Sequence, residues 1–293
     1  MDVTIPNWFS RKFRRPVGWL LAPSLIILIV FFVLPTLVFL VYSFLVSGEY
    51  KVEWIFTLEN YIRVFRSSLY WDAILNSLLA GITVGVVTTL VSYPFAYFLT
   101  YRVKKGRNIV LFLVVISLLG SYLVRVYAWR TILGREGIIN SLLIWIGIIR
   151  EPLLFLLFSR FAVIVTLVHV FLPFSILPIL SSLQNVPYEL IEAARDLGCS
   201  PFRAFLRVTF PLSITGVLAG FTYTFILAAA DYITPQLVGG TSISMIGPSI
   251  SAQFIKYGNF GLGSAISFVF LAVLLLVIYL VQWILGRLFP IAK

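Results

Sequence analysis

One cysteine, Cys199, and one histidine, His169, limit the covalent and metal chemistry open to this chain. A lone thiol makes no disulfide within the chain and argues against a thiolate metal site. His169 lies in the apolar run VIVTLVHVFLPF without companion ligands. An interior, hydrogen-bonded imidazole is its expected role, with proton relay as the alternative. No G-x-x-x-x-G-K-S/T phosphate loop occurs, because Gly239-Gly240 lacks a following Lys, and there is no G-x-S-x-G or H-E-x-x-H pattern. The chemistry left is that of charges and aromatic faces. Asp231 and Tyr232 in ILAAADYITPQLVGG, and Arg125, Tyr127, Trp129 and Arg130 in SYLVRVYAWR, have the groups for ion pairing and cation–π contact with a charged solute. The same residues would serve equally as an interfacial acid and an aromatic belt with snorkelling arginines. A third polar group is the stretch ELIEAARDLGCSPFRAFLRVTFP, residues 189–211, where charges recur every three or four positions.

The elements that must position these residues are membrane helices. Hydrophobic residues make up 60% of the 293 positions and charged residues only 11%, against about 25% charged in soluble domains. Crossing a bilayer core takes about 20 apolar helical residues. Six stretches qualify: Val17–Val46, Ile74–Tyr101, Ile109–Leu133, Phe161–Leu183, Pro211–Ile233 and Gly261–Leu285. The expected fold class is therefore an all-α integral membrane protein of six spans. The shorter run Ile138–Ile149 fits an interfacial or periplasmic helix. The basic N-terminal segment, residues 1–16, precedes an apolar run too long for a signal-peptide core, so a retained first span is expected.

Six spans place both termini on one side, and the charges choose it. Arg11, Lys12, Arg14, Arg15, Arg102, Lys104, Lys105, Arg107, Arg195, Arg203, Arg207, Arg287 and Lys293 fall on the N-terminal side, more than half of the 22 Lys and Arg. By the positive-inside rule that side is cytoplasmic, so loops 47–73, 134–160 and 234–260 are periplasmic and loop 184–210 is cytoplasmic. The net charge of +11 then reports topology, and nucleic acid is not needed to explain it. Pro173 and Pro178 suit kinks around a moving pathway or ordinary membrane-helix composition. Gly81, Gly85, Gly216 and Gly220 suit close helix approach, and Asn76 suits a hydrogen bond between helices.

Loop 184–210 is orderly. Asn185 is expected to cap a helix with Pro187 in its first turn and Glu189 and Glu192 near its positive end. Leu190, Ala193, Ala194 and Leu197 form one narrow apolar face. Gly198 sits where a helix ends, and Ser200-Pro201 restarts one. The apolar face has two possible neighbours, the chain's own helix ends or a partner.

Glu192-Ala193-Ala194, three residues, Gly198, nine residues, then Val208-Thr209-Phe210-Pro211 resembles the EAA loop of ABC importer permeases. Val and Phe replace the Ile and Leu of that signature. The resemblance implies the type I importer permease fold, with both termini cytoplasmic. It also implies a coupling helix that enters a groove on a cytoplasmic ATPase, involving Glu192, Ala193, Ala194, Arg195, Asp196, Gly198 and Pro211. No cofactor is then expected on this chain, ATP and Mg being held by the partner subunit. The implied partners are two ATPase subunits, a second, non-identical permease, a periplasmic or lipid-anchored solute-binding protein, and membrane lipid.

Across nearly the whole chain the sequence also looks like the polyamine (spermidine/putrescine) branch, through YPFAYFLTYR, SYLVRVYAW, LPFSILPILSSL and DYITPQLVGG. Asp231, Tyr232, Tyr127 and Trp129 suit a polyamine, whereas Arg125 and Arg130 would repel it. Related branches carrying opines, phosphonates, thiamine or ferric ions remain alternatives. An ion-coupled secondary transporter would call for inverted repeats, and a membrane scaffold would tolerate substitution of the polar insert.

Overall fold

A computed structural model describes residues 16–48, 50–103, 105–240 and 243–288. Lys104, Lys293 and the basic segment before Pro16 fall outside the described residues. Two compact units divide the chain, one made of residues 1–64 and 253–268, the other of residues 65–252 and 269–293.

In the first unit, α1 (Pro16–Leu28) runs through a π turn at Ile29–Val33 into α2 (Leu34–Ser43). The first span thus ends at Ser43, three residues before the expected Val46. Asn60 explains the stop: its Nδ2 donates to the carbonyls of Ser43 and Leu45 at 3.1 and 2.9 Å, satisfying acceptors that a longer helix would have used. The chain then forms an antiparallel hairpin, β1 (Leu45–Gly48) and β2 (Lys51–Phe56), pairing Ser47 with Val52. The all-α expectation is corrected here. Val52, Trp54, Ile55 and Phe56 favour extended backbone, and Tyr50, at φ 65°, anchors the turn through its N–H to Gly258 O at 3.1 Å. Helix α3 (Glu59–Arg66) follows, with the Thr57 hydroxyl accepting the Glu59 N–H.

The second unit is built on three mutually packed helices, α4 (Ser68–Tyr101), α8 (Arg160–Gln184) and α11 (Phe210–Ala229). Helix α4 is 34 residues long, about 51 Å at the α-helical rise, and starts six residues before the expected Ile74. Glycines set the spacing as expected. Gly81 and Gly85 receive Phe225 and Phe221 of α11, while Gly216 and Gly220 lie against Pro178–Ser182 and Ser175 of α8. Helix α8 stays continuous through Pro173 and Pro178.

The third span departs most from expectation. Instead of one helix over Ile109–Leu133 there are two, α5 (Arg107–Leu119) and α6 (Tyr122–Leu133). The segments Arg107–Leu119 and Tyr122–Trp145 meet at 94°. Gly120 and Ser121 both adopt ψ values near the extended range, 139° and 128°. The Gly120 carbonyl accepts instead from the Arg125 guanidinium at 3.3 Å. Among the described residues, five helices are long and apolar enough to cross a membrane, or six if this bent pair is one span.

Helix α7 (Ile138–Trp145) is shorter than the expected Ile138–Ile149, because Gly147 turns the chain at φ 79°. The loop between α8 and α11 contains α9 (Tyr188–Asp196), α10 (Pro201–Ala204) and a π turn at Phe205–Thr209. After α11 come a π turn at Pro235–Gly239, α12 (Ile246–Ser251) and the last helix, α13 (Phe260–Leu288).

Candidate functional site

Between α8 and α11 the chain makes a helix, a turn and a second helix. Helix α9 starts at Tyr188, with Pro187 in extended conformation at its cap position. Asn185 instead closes α8, which corrects the expected cap. The reason is local: the residue before a proline is disfavoured in helical conformation, so Val186 separates the two helices. The other end is as expected. Gly198, at φ 85°, donates to Arg195 O at 2.8 Å and Cys199 donates to Ala194 O at 3.0 Å, the paired bonds of a glycine C-terminal cap. Ser200 Oγ accepts the Arg203 N–H at 3.4 Å, with Pro201 opening α10.

Helix α9 turns Ile191 inward, 6% exposed, while Leu190 and Leu197 remain 47% and 86% exposed. Glu192, Ala193, Arg195, Asp196 and Gly198 are exposed as well, Ala194 is half-buried, and Pro211 is half-buried at the start of α11. The apolar face of Leu190, Ala193 and Leu197 is therefore left open by the described residues of this chain. Helix α9 is thus short and closed at its C-terminal end by Gly198, with an exposed face of small and branched residues.

The second candidate group lies at the opposite ends of α8 and α11. Asp231 is 9% exposed, and its two carboxylate oxygens accept the N–H groups of Ile233 (3.3 Å) and Thr234 (3.0 Å). It caps the turn that begins at Thr234-Pro235, a role outside both expectations for it. The Tyr122 hydroxyl lies 2.7 Å from Thr234 Oγ1, and its ring stacks on Phe171. Arg125 donates to Val170 O of α8 at 3.1 Å and to Gly120 O at the bend at 3.3 Å. The Trp129 ring meets His169 edge-on at 5.6 Å. Tyr127 and Tyr232 are 51% and 44% exposed. His169 is exposed and borders a mostly apolar cavity of about 320 Å³ between α4, α5 and α8. This differs from its expected interior place.

Asn76 does bridge helices, donating to Ser244 O at 3.1 Å and accepting from Arg160 at 2.9 Å. Both border a second cavity of about 120 Å³, with Thr83 and Met245. An aromatic cluster escaped the sequence reading altogether. Tyr93, Tyr97 and Tyr101 are spaced four apart on α4; Tyr93 meets Phe205 and Phe210 at the exit of the loop, Tyr97 meets Phe205, and Tyr101 meets Tyr97. The four-residue spacing was the available signal.

The Asp231 geometry separates two effects. Asp231→Ala is expected to cost about 0.5–2 kcal/mol, as for loss of a helix cap. Asp231→Asn removes the charge but keeps only one of the two acceptors, since its amide nitrogen cannot accept the second N–H. Thermal unfolding of the two variants, beside solute-stimulated ATP turnover of the importer complex that the EAA resemblance implies, distinguishes them. A turnover change in the Asn variant without a stability change assigns the charge to transport.

Residues 92–290 match the family described as binding-protein-dependent transport system inner membrane component. The chain belongs to that family. The spermidine/putrescine transport system permease protein PotB of Escherichia coli (strain K12) is 33% identical over 273 residues, 93% of this permease and 95% of its relative. The PotB of Haemophilus influenzae is 36% identical over 264 residues, 89% of this permease and 92% of the relative. A bacterial alginate ABC transporter, solved in complex with an alginate pentasaccharide-bound periplasmic protein, contains a chain of the same fold. Its TM-score is 0.74 at 16% identity, covering 98% of this permease and 99% of that chain. The methionine transporter MetNI, in an inward-facing conformation, gives 0.54 at 18% identity, over 77% and 97%. The permease is thus a membrane subunit of an ABC importer, located in the inner membrane, and ATP hydrolysis belongs to a separate subunit.

Proposed function

We propose that this permease imports polyamines such as spermidine and putrescine, forming half of a translocation pathway with a second, non-identical permease. The observation that carries the cargo is relatedness to spermidine/putrescine permeases at 33–36% identity over most of both chains. In this reading the bent third span counts as one of six, and both termini and loop 184–210 are cytoplasmic. The exposed face of α9, with Glu192, Ala193, Ala194, Arg195, Asp196 and Gly198, docks on one of two ATPase subunits that hold ATP and Mg, and Pro211 passes the movement to α11. A periplasmic or lipid-anchored binding protein delivers cargo past Asp231, Tyr232, Arg125, Tyr127 and Trp129.

The test is reconstitution. The permease purified from its own membrane is expected to bring ATPase subunits with it. In proteoliposomes, spermidine-loaded binding protein is expected to raise ATP turnover several-fold. Stimulation by another solute, with none by spermidine or putrescine, would overturn the cargo. Sidedness has a built-in probe, since Cys199 is the single cysteine and is partly exposed. A membrane-impermeant maleimide should label it in inside-out vesicles and not in right-side-out ones.

A further inference from the structure

The loop that carries α9 is gripped at both ends by one face of α4. At its entry, the Tyr101 hydroxyl donates to Leu183 O at 3.2 Å. At its exit, Phe205 sits edge-on to Tyr93 and Tyr97, with ring centroids 5.8 and 5.7 Å apart and planes at 76° and 90°. Tyr93 reaches further, to the Phe210 ring at 5.7 Å and to Ser213 Oγ at 2.8 Å. Tyr97 and Tyr101 lie against each other at 4.9 Å, and Phe205 links Tyr97 to Tyr93, so the three side chains form a row joined through Phe205.

The position of this row matters because the path from loop to α11 is not uniform helix. Phe205–Thr209 is a π turn, a local widening that often marks functional sites. A push from α9 transmitted by backbone alone would have to pass through it. Tyr93 bridges it, touching Phe205 at its first residue and Phe210 and Ser213 beyond its last. Pro94 follows directly in α4 and lacks the N–H that would bond Leu90 O. The segment carrying Tyr97 and Tyr101 therefore follows a break in the helix ladder.

We propose that Tyr93, Tyr97 and Tyr101 act as positioning residues that carry movement of the coupling loop into α4 as well as α11. The proposal rests on the coupling-loop reading above. The two spans that pack on α8 then move together when the ATPases close.

The assembled transporter in proteoliposomes tests it with radiolabelled spermidine imported per ATP hydrolysed. Tyr97→Leu and Phe205→Leu, which keep apolar bulk and remove the edge-on ring contact, are expected to lower that ratio about tenfold with ATPases still bound. Tyr97→Phe should restore it. A cargo-independent readout runs in parallel. Phe98→Cys, at an exposed neighbour of the row and in a Cys199→Ser background, is expected to change its maleimide labelling between nucleotide-free and vanadate-trapped complexes, and Tyr97→Leu to abolish the change. An unchanged ratio in both Leu variants overturns the proposal, as does a Phe98→Cys labelling rate unaffected by trapping. Loss of ATPase co-purification in the Leu variants also overturns it, assigning the row to docking. If the wild-type complex imports no spermidine, the cargo reading falls and the labelling arm decides the role of the tyrosine row.

Discussion

Gly198→Asp and Glu192→Lys are expected to abolish uptake while the permease remains in the membrane. Gly198 occupies φ 85°, and a Cβ added there would meet no atom within 4 Å. The cost of a side chain is then backbone strain, about 1–2 kcal/mol for left-handed helical conformation in most residues. Asn and Asp tolerate that conformation better than others and share a shape. Gly198→Asn should therefore retain most uptake, whereas Gly198→Asp adds a negative charge at the C-terminal end of α9, where the helix dipole already disfavours it. At least a tenfold difference in uptake between the two, at equal permease levels by immunoblot, is the expected result. Glu192 is exposed and lies on the helix proposed to meet the ATPase. Glu192→Lys reverses the charge and should remove the ATPase from the purified complex, with Glu192→Gln intermediate. Normal uptake in both Gly198→Asp and Glu192→Lys would sink the coupling assignment.

The parts of this fold legible in sequence are those whose limits are set locally. Helix α8 runs Arg160–Gln184 against an expected Phe161–Leu183, because Ser159 caps one end, accepting the Ala162 N–H at 3.1 Å, and Asn185, just ahead of Val186-Pro187, closes the other. Gly198 and Ser200 behave as their residue types require. The bend at Gly120 was hidden for a different reason. Gly120 lies in an apolar run like several other glycines, and the groups that make a break there tolerable are Arg125, five residues on, and the Val170 carbonyl on another helix. Asp231 was read by depth alone, yet Thr234-Pro235 three residues later carried a helix-start signal. The tyrosines of α4 were hidden because a four-residue aromatic spacing fits a lipid-facing stripe as well as a packed one. Only the position of Phe205, a hundred residues away in the chain, separates the two.

Gly216→Ala provides the sharpest test of how α8 and α11 are held. In an unconstrained helix interior Ala is better than Gly by about 0.8–1 kcal/mol. Here the added Cβ would lie 2.5 Å from the Pro178 carbonyl oxygen and 3.0 Å from the Ile179 Cα, as well as against Ser182 Cβ. Two of those three atoms are backbone and cannot rotate away, so relief requires the helices to part. Overpacking of this kind costs about 1–3 kcal/mol, enough to reverse the sign. Gly220→Ala meets Ser175 at 2.9–3.2 Å, with a side-chain oxygen nearest, and should be the milder change. Thermal unfolding in detergent is expected to rank wild type above Gly220→Ala and Gly220→Ala above Gly216→Ala, with Gly216→Leu failing to accumulate. A Gly216→Ala permease as stable as wild type would mean that the two helices separate at little cost. The contact lies close to both ends of loop 184–210, with Ser182 and Thr215 hydroxyls 3.2 Å apart. A freely parting pair would leave α8 unable to hold its side of the loop while α11 moves.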